Sequence, residues 1–391
     1  MKQLNWIMFD AFKEDYLKYA PFMNSLSHQT KVEPVIGYQQ YIASLLTGYK
    51  PEEINVWAIF RKEKNSKLFS WTKPLKNLKV LDNYYLKLFI DGISFSKVGT
   101  IDMIKAIIPI KVMHNFGIGQ MKAITTKNCL NKPTIFDLLR KNNLSYRYIK
   151  GAIVSVNGKE TLLQNAKHIV SRPSENTIKL AKNKKEDLLF VYLLELDGLG
   201  HRHGPKSKEV KEHVKKIDSL LENYLKNKKF ILHSDHGMVE VKKHVNIKKE
   251  IESLGLTLGK DYLYFLDSVV ARFWFFNETA KKLITNKLEN IKEGFILKLP
   301  DLVRYGINFK DNRFFDLAFI MNHGNIIIPN FFQETSNVKG MHGYLPNKDE
   351  NGIFTSNLKL KQTDKIKYMD INATVLKHFN LTYPTQGNSL L

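Results

Sequence analysis

The chain has 391 residues, 43% of them hydrophobic, with 24 Phe and 17 Tyr. That is enough for a large core and excludes low-hydrophobicity disorder over most of its length. The lone cysteine, Cys129, excludes an internal disulfide framework and any cysteine-rich metal site. With 60 Lys+Arg against 38 Asp+Glu, the net charge is +22. Such a field attracts nucleic acid, anionic membrane surfaces and phosphorylated metabolites, although the lysines are spread along the chain and composition alone is the simpler account.

The N-terminus, MKQLNWIMFDAF, carries no apolar stretch of signal-peptide length, and no run reaches the about 18 apolar residues of a spanning helix. A cytoplasmic protein is expected. Leu4 to Phe9 reads as a short buried strand ending in Asp10. Residues 12–27 read as mostly helical, restarting at Pro21. Residues 35–48 form an apolar-faced segment, helical and stopped by Gly48. Residues 134–149 read as helix, Asn-rich turn, strand. The run LLFVYLLEL at 188–196 is nearly continuous in apolar character, as in a strand covered on both faces. A Gly/His/Pro loop at 197–207 precedes a helix over 207–225 with Ser207 as N-cap, and Phe230 to Leu232 begin another strand.

Strands alternating with helices predict an α/β fold with a mostly parallel sheet sandwiched by helices. The whole chain, 1–391, is expected to form one such domain. Residues 64–130, aromatic and basic, and residues 243–335, mixed in pattern, are expected to be insertions that build a cap and a side region over the sheet's active edge.

In open α/β sheets, ligands sit beyond the carboxyl ends of the strands, so the first polar residues there matter most. These are Asp10; then Asp197, followed by His201; then Asp235-His236 in FILHSDHGMVE (230–240). Further on, His342 sits between glycines in GMHGY (340–344). Burying such groups is costly unless they are paired or bind something. Three Asp and three His suit divalent ions such as Zn or Mn, and six ligands match two ions sharing a site, an arrangement suited to phosphoryl transfer. His203, His213, His233 and His244 are read as non-ligands, and Lys206, Lys208, Lys242 and Lys243 as solvated lysines.

The order Asp197-x-x-x-His201 with Gly204-Pro205, Ser-Asp235-His236-Gly-Met and His342-Gly-Tyr resembles the type I phosphodiesterase/nucleotide pyrophosphatase branch of the alkaline phosphatase superfamily. LLTGYKPEE (45–53), KPTIFDLLRKNNLSYRYI (132–149) and the C-terminal MDINATVLKHFNLTYPTQGNSLL resemble further segments of that family. The resemblance spans the core from end to end and leaves out the two insertions. It implies an alkaline-phosphatase-like fold and a metal-dependent hydrolase of phosphate esters, of phosphodiester or nucleotide pyrophosphate type. It also implies a phosphorylated small molecule or nucleotide as partner. One metal would be held by Asp197, His201 and His342, the other by Asp10, Asp235 and His236 together with a Thr or Ser nucleophile.

Counting back from Thr47-Gly48, that nucleophile position falls on Tyr38 or Gln39, and neither is Ser or Thr. Three routes stay open: attack by a metal-bound hydroxide, attack by the Tyr38 phenolate, or a catalytically impaired protein. The last would bind metals with a phosphorylated ligand, nucleic acid or membrane phosphate. A sulfatase is disfavoured, because NCLNKP at 128–133 lacks that class's C/S-x-P-x-R context, and a mutase would keep a serine.

Overall fold

The computed structural model describes residues 3–37, 41–64, 66, 68–77, 107–120, 122–151, 153–162, 173–333, 335 and 337–391. Its centre is a nine-stranded sheet in the order Lys365–Lys367, His28–Glu33, Gly352–Ser356, Lys229–Ser234, Leu4–Phe9, Leu188–Leu193, Tyr146–Lys150, Ile153–Val156 and Lys159–Leu162. Leu4–Phe9 is flanked by two parallel neighbours, Leu188–Leu193 and Lys229–Ser234, and Tyr146–Lys150 continues the parallel run. Gly352–Ser356 runs antiparallel between Lys229–Ser234 and His28–Glu33. The sheet is therefore mostly parallel, as the alternation of strands and helices predicts.

Strand periodicity explains why the central runs read as continuously apolar. Leu4, Trp6 and Met8 face one layer, with Leu188, Phe190 and the helices Tyr41–Thr47, Ile135–Lys141 and Tyr368–His378. Ile7 and Phe9 face the other, with Val191, Leu193 and the helices Ser174–Ala181 and Lys208–Leu225. Both faces are covered, so both parities of the strand are mostly apolar, and the exception Asn5 is paired, accepting from Tyr224 Oη at 2.9 Å.

Several local readings shift. Residues 12–27 become a 3-10 turn over Glu14–Tyr19 and a four-residue helix that starts at Pro21, where the missing N–H costs nothing. The helix ahead of Gly48 covers Tyr41–Thr47, and Gly48 takes φ +75, as a C-terminal glycine should. The expected loop at 197–207 is largely helix: Glu195–His203 is helical. Its glycines argued for a loop, yet Gly200 is there because the helix presses on Met238, whose Cε lies 2.9 Å from where a Cβ would stand.

The described parts of residues 57–118 and residues 239–345 pack into one hydrophobic cluster. Within it lies a four-stranded antiparallel sheet in the order Tyr262–Leu266, Val270–Phe275, Leu317–Met321, Gly294–Ile296. Arg272, fully buried, donates from Nη1 to the Phe60 carbonyl at 2.7 Å and so ties the two sequence regions together. Among the described residues, no helix is long and apolar enough to cross a membrane.

Candidate metal centre

The register of the sheet brings the first carboxylates together. Phe9 pairs with both Leu193 and Ser234, so Asp10 and Asp235 leave the same edge side by side. Asp10 N–H donates to the Leu193 carbonyl at 2.9 Å. Ala11 turns with φ 67, a left-handed conformation rare for a residue with a Cβ, and its N–H donates to Asp235 Oδ1 at 3.1 Å. Strain of this kind is kept where the surroundings over-determine the backbone.

Asp197 and His201 lie one turn apart on the Glu195–His203 helix, with His201 Nε2 3.2 Å from Asp197 Oδ1. His342 follows the short strand Gly340–Met341, which pairs with Val239–Glu240 and so lands beside His236. The His236 and His342 rings stack at 3.7 Å between centroids, and His342 Nε2 is 3.4 Å from Asp197 Oδ1. Gly237 admits this crowding: a Cβ there would stand 2.0 Å from the Asp349 carbonyl oxygen, and its N–H donates to the Glu350 carbonyl at 2.7 Å.

All six residues read as ligands from the sequence thus converge. Ligand atoms of Asp10, Asp235 and His236 lie within 4.8 Å of one another, and so do those of Asp197, His236 and His342. His236 reaches both groups, whereas the family pattern assigns it to the Asp10/Asp235 side alone. Tyr38 and Gln39 lie outside the described residues. The preceding Gly37 is anchored at the cluster, donating its N–H to the Gly343 carbonyl at 2.9 Å.

Hydrogen bonding shows what the cluster is built to receive. Nδ1 of His201 is 2.8 Å from the Gly340 carbonyl, and Nδ1 of His236 is 2.8 Å from the Gly237 carbonyl. A carbonyl only accepts, so each Nδ1 carries a proton, and each Nε2 is left to hold a second proton or to bind a cation. Both Nε2 atoms face carboxylates: His236 Nε2 is 3.3 Å from Asp10 Oδ1 and 3.6 Å from Asp235 Oδ2. Asp197 Oδ1 is buried with no hydrogen bond. Imidazole Nε2 atoms and carboxylate oxygens converging at one place suit divalent cations, and histidines oriented by backbone carbonyls are the usual support of such sites.

The electrostatics agree. Burial, then Asp235 and Asp197, push Asp10 up to about 7. Burial opposes charge on His236 and His201, but the carboxylates override it and raise both. His342, buried and next to His236, is held well below the ordinary imidazole value.

Sequence reasoning missed four neighbours. Tyr192 Oη donates to Asp10 Oδ2 at 2.7 Å, with Asp235 Oδ2 at 3.3 Å, and Tyr41 Oη contacts Tyr192 Oη. Tyr368 Oη donates to the Asp235 carbonyl. Glu350, fully buried, accepts from Gly343 N–H at 3.1 Å, and burial raises it to about 8. The one available signal was Tyr192, a polar tip near the end of an otherwise apolar strand. Of the residues read as non-ligands, His233 packs against Trp6 at 5.7 Å, and Lys206, Lys208 and Lys243 pair with Glu240, Glu212 and Glu293.

The sequence profile described as type I phosphodiesterase/nucleotide pyrophosphatase matches residues 6–345. The chain belongs to that family. Ectonucleotide pyrophosphatase/phosphodiesterase family member 7 of Rattus norvegicus is 32% identical over 113 residues, 26% of this chain and 25% of that protein. Its Homo sapiens counterpart is 32% identical over 112 residues, 26% of this chain and 24% of that protein. These alignments span about a quarter of the relatives' length.

The fold is also that of human ectonucleotide pyrophosphatase/phosphodiesterase 5, with TM-score 0.66 and 17% identity over 99% of this chain and 97% of that one. The murine protein, solved as an inactive variant in complex with AMP, superposes with TM-score 0.63 at 17% identity, over 99% of this chain and 98% of that one. At this identity the likeness shows the fold, and it is the alkaline-phosphatase-like α/β fold of the family.

Proposed function

We propose that this family member is a metal-dependent hydrolase of phosphodiesters or nucleotide-type pyrophosphates, holding two divalent ions of the zinc or manganese class. The observation that carries the reading is the pair of imidazoles, His201 and His236, whose Nδ1–H groups are tied to backbone carbonyls while their Nε2 atoms face the carboxylates of Asp197 and Asp10. Asp10, Asp235 and His236 would hold one ion. Asp197, His201 and His342 would hold the other, with His236 within reach of both. Such ions, when bound, neutralise the carboxylates and polarise a phosphoryl oxygen.

The chain's own residues orient that site. Tyr192 fixes the carboxylate planes of Asp10 and Asp235, and Tyr368 fixes the turn at Asp235. The buried walls keep bulk water away, which strengthens every charge interaction inside.

The assay is turnover of bis-p-nitrophenyl phosphate and p-nitrophenyl phosphate by purified protein after chelation and after adding back zinc or manganese. Diester turnover restored by metal is expected, falling by about a hundredfold or more in Asp235→Asn. Survival of turnover in Tyr38→Phe would leave water rather than the phenolate as the attacking group. A second reading follows from the absence of Ser or Thr at positions 38 and 39: a protein that binds metals and a phosphorylated ligand without turning it over. Complete inactivity on every ester with both metals loaded would select it.

A further inference from the structure

Between His342 and the strand Gly352–Ser356 the chain passes through Asn347-Lys348-Asp349-Glu350, a polar stretch of the kind that ordinarily forms a solvated turn. Glu350 is instead fully buried. Its Oε2 accepts from Gly343 N–H at 3.1 Å, whereas Oε1, also buried, makes no hydrogen bond among the described residues. Leaving a buried polar atom unpaired costs about 1–3 kcal/mol, so a carboxyl group at this place calls for a reason.

The reason lies in what meets there. The Glu350 carbonyl accepts from Gly237 N–H at 2.7 Å, directly after His236. Its carboxyl group holds Gly343, directly after His342, where φ is +97 and glycine is favoured. The Gly343 carbonyl in turn accepts from Gly37 N–H at 2.9 Å. One residue therefore joins the turn of His236 to the turn of His342, whose rings stack at 3.7 Å, and it borders the same cavity as both rings.

Glu350 is itself braced. Asn347 Oδ1 accepts from the N–H of Asp349 at 2.8 Å and from that of Glu350 at 2.9 Å. Asp349 Oδ1 accepts from the buried Lys13 Nζ at 2.6 Å, and Lys13 stands in the segment that leaves Asp10. The loop is thus pinned on the side of Asp10 as well as on the side of the two histidines.

We propose that Glu350 is a positioning residue of the metal centre. Through Gly343 N–H its carboxyl group holds the His342 turn against the His236 turn, so that both imidazoles meet their ions at the spacing of the stacked pair. It acts through the two histidines rather than as a ligand. Groups that stand behind metal ligands in this way are worth about 10–100-fold in metal affinity. The inference rests on the two-ion reading above.

The test is zinc affinity, measured by chelator competition on the full chain as wild type, Glu350→Ala and Glu350→Gln, below the temperature at which each metal-free protein unfolds. Glu350→Ala should weaken binding by about 10–100-fold. Glu350→Gln keeps an oxygen for Gly343 N–H and should recover most of that loss. Should Glu350→Ala fail to fold, Glu350→Met takes its place, filling the volume without the oxygen. A variant that is less stable but still folded, with its histidines in place, binds zinc as wild type does, so the affinity separates a strut from plain packing.

Unchanged affinity in Glu350→Ala or Glu350→Met overturns the proposal, and so does a Glu350→Gln as weak as they are. Those outcomes leave the metal reading standing, because wild type still binds zinc. A wild type that binds no zinc removes the metal reading and the strut together.

Discussion

His233 shares its strand with the metal cluster but not its chemistry. It is fully buried against Trp6, and burial holds its imidazole down to about 3. Its ordinary value in the unfolded chain is about 6.5. Between those two values the unfolded chain binds one more proton than the native one. Native stability is therefore full above about pH 6.5 and falls as the pH drops towards 3, by about 1.4 kcal/mol per pH unit from this residue. In His233→Leu that contribution disappears. Urea unfolding at pH 7, 6 and 5 should show wild type losing stability faster than the variant by that slope; parallel losses would mean that His233 is not held neutral.

At the scale of the element, the side sheet hangs on Arg272. Its guanidinium is completely buried, 3.4 Å by Nε from Asp267 Oδ2 and 4.7 Å from the Phe265 ring centroid, with the Phe60 carbonyl accepting from Nη1. Removing one partner of such a pair strands the other without water. Arg272→Met should cost about 3–5 kcal/mol. Arg272→Met/Asp267→Leu should cost less than the single change, because no unpaired carboxylate remains. A double variant less stable than the single one in chemical denaturation would show that the pair holds no such cost.

For the whole molecule, the cluster links metal to stability. Asp235 and Asp197 crowd Asp10, and ions that bind only the folded chain stabilise it by mass action, by about 2.7 kcal/mol at a hundredfold excess over Kd. Thermal unfolding should move up by several degrees with zinc or manganese and return on chelation. His342→Ala and Asp10→Asn should blunt the response. A Tm indifferent to both metals in wild type would mean that the six residues do not form a metal site.

The sequence by itself determined what depends on short range. Apolar runs ended where Asp10 and Asp235 stand, Ser207 and Pro21 marked helix starts, and the ordered motifs placed all six converging residues and the fold. Those signals are local because burial on both faces makes a central strand mostly apolar, so the polar residues that follow it stand out. Tertiary structure alone decided the rest. Asp197 and His201 lie one turn apart because their segment is a helix, against the loop tendency of its glycines, with Gly200 packed on Met238.

Tyr192, Tyr368 and Glu350 join the cluster through contacts across more than a hundred residues or through turns whose direction no pattern encodes. His236 reaches both ligand groups because sheet register and the pairing of Gly340–Met341 with Val239–Glu240 put it between them. Distance along the chain carries no information about such meetings; the cost of burying each apolar face settles them together.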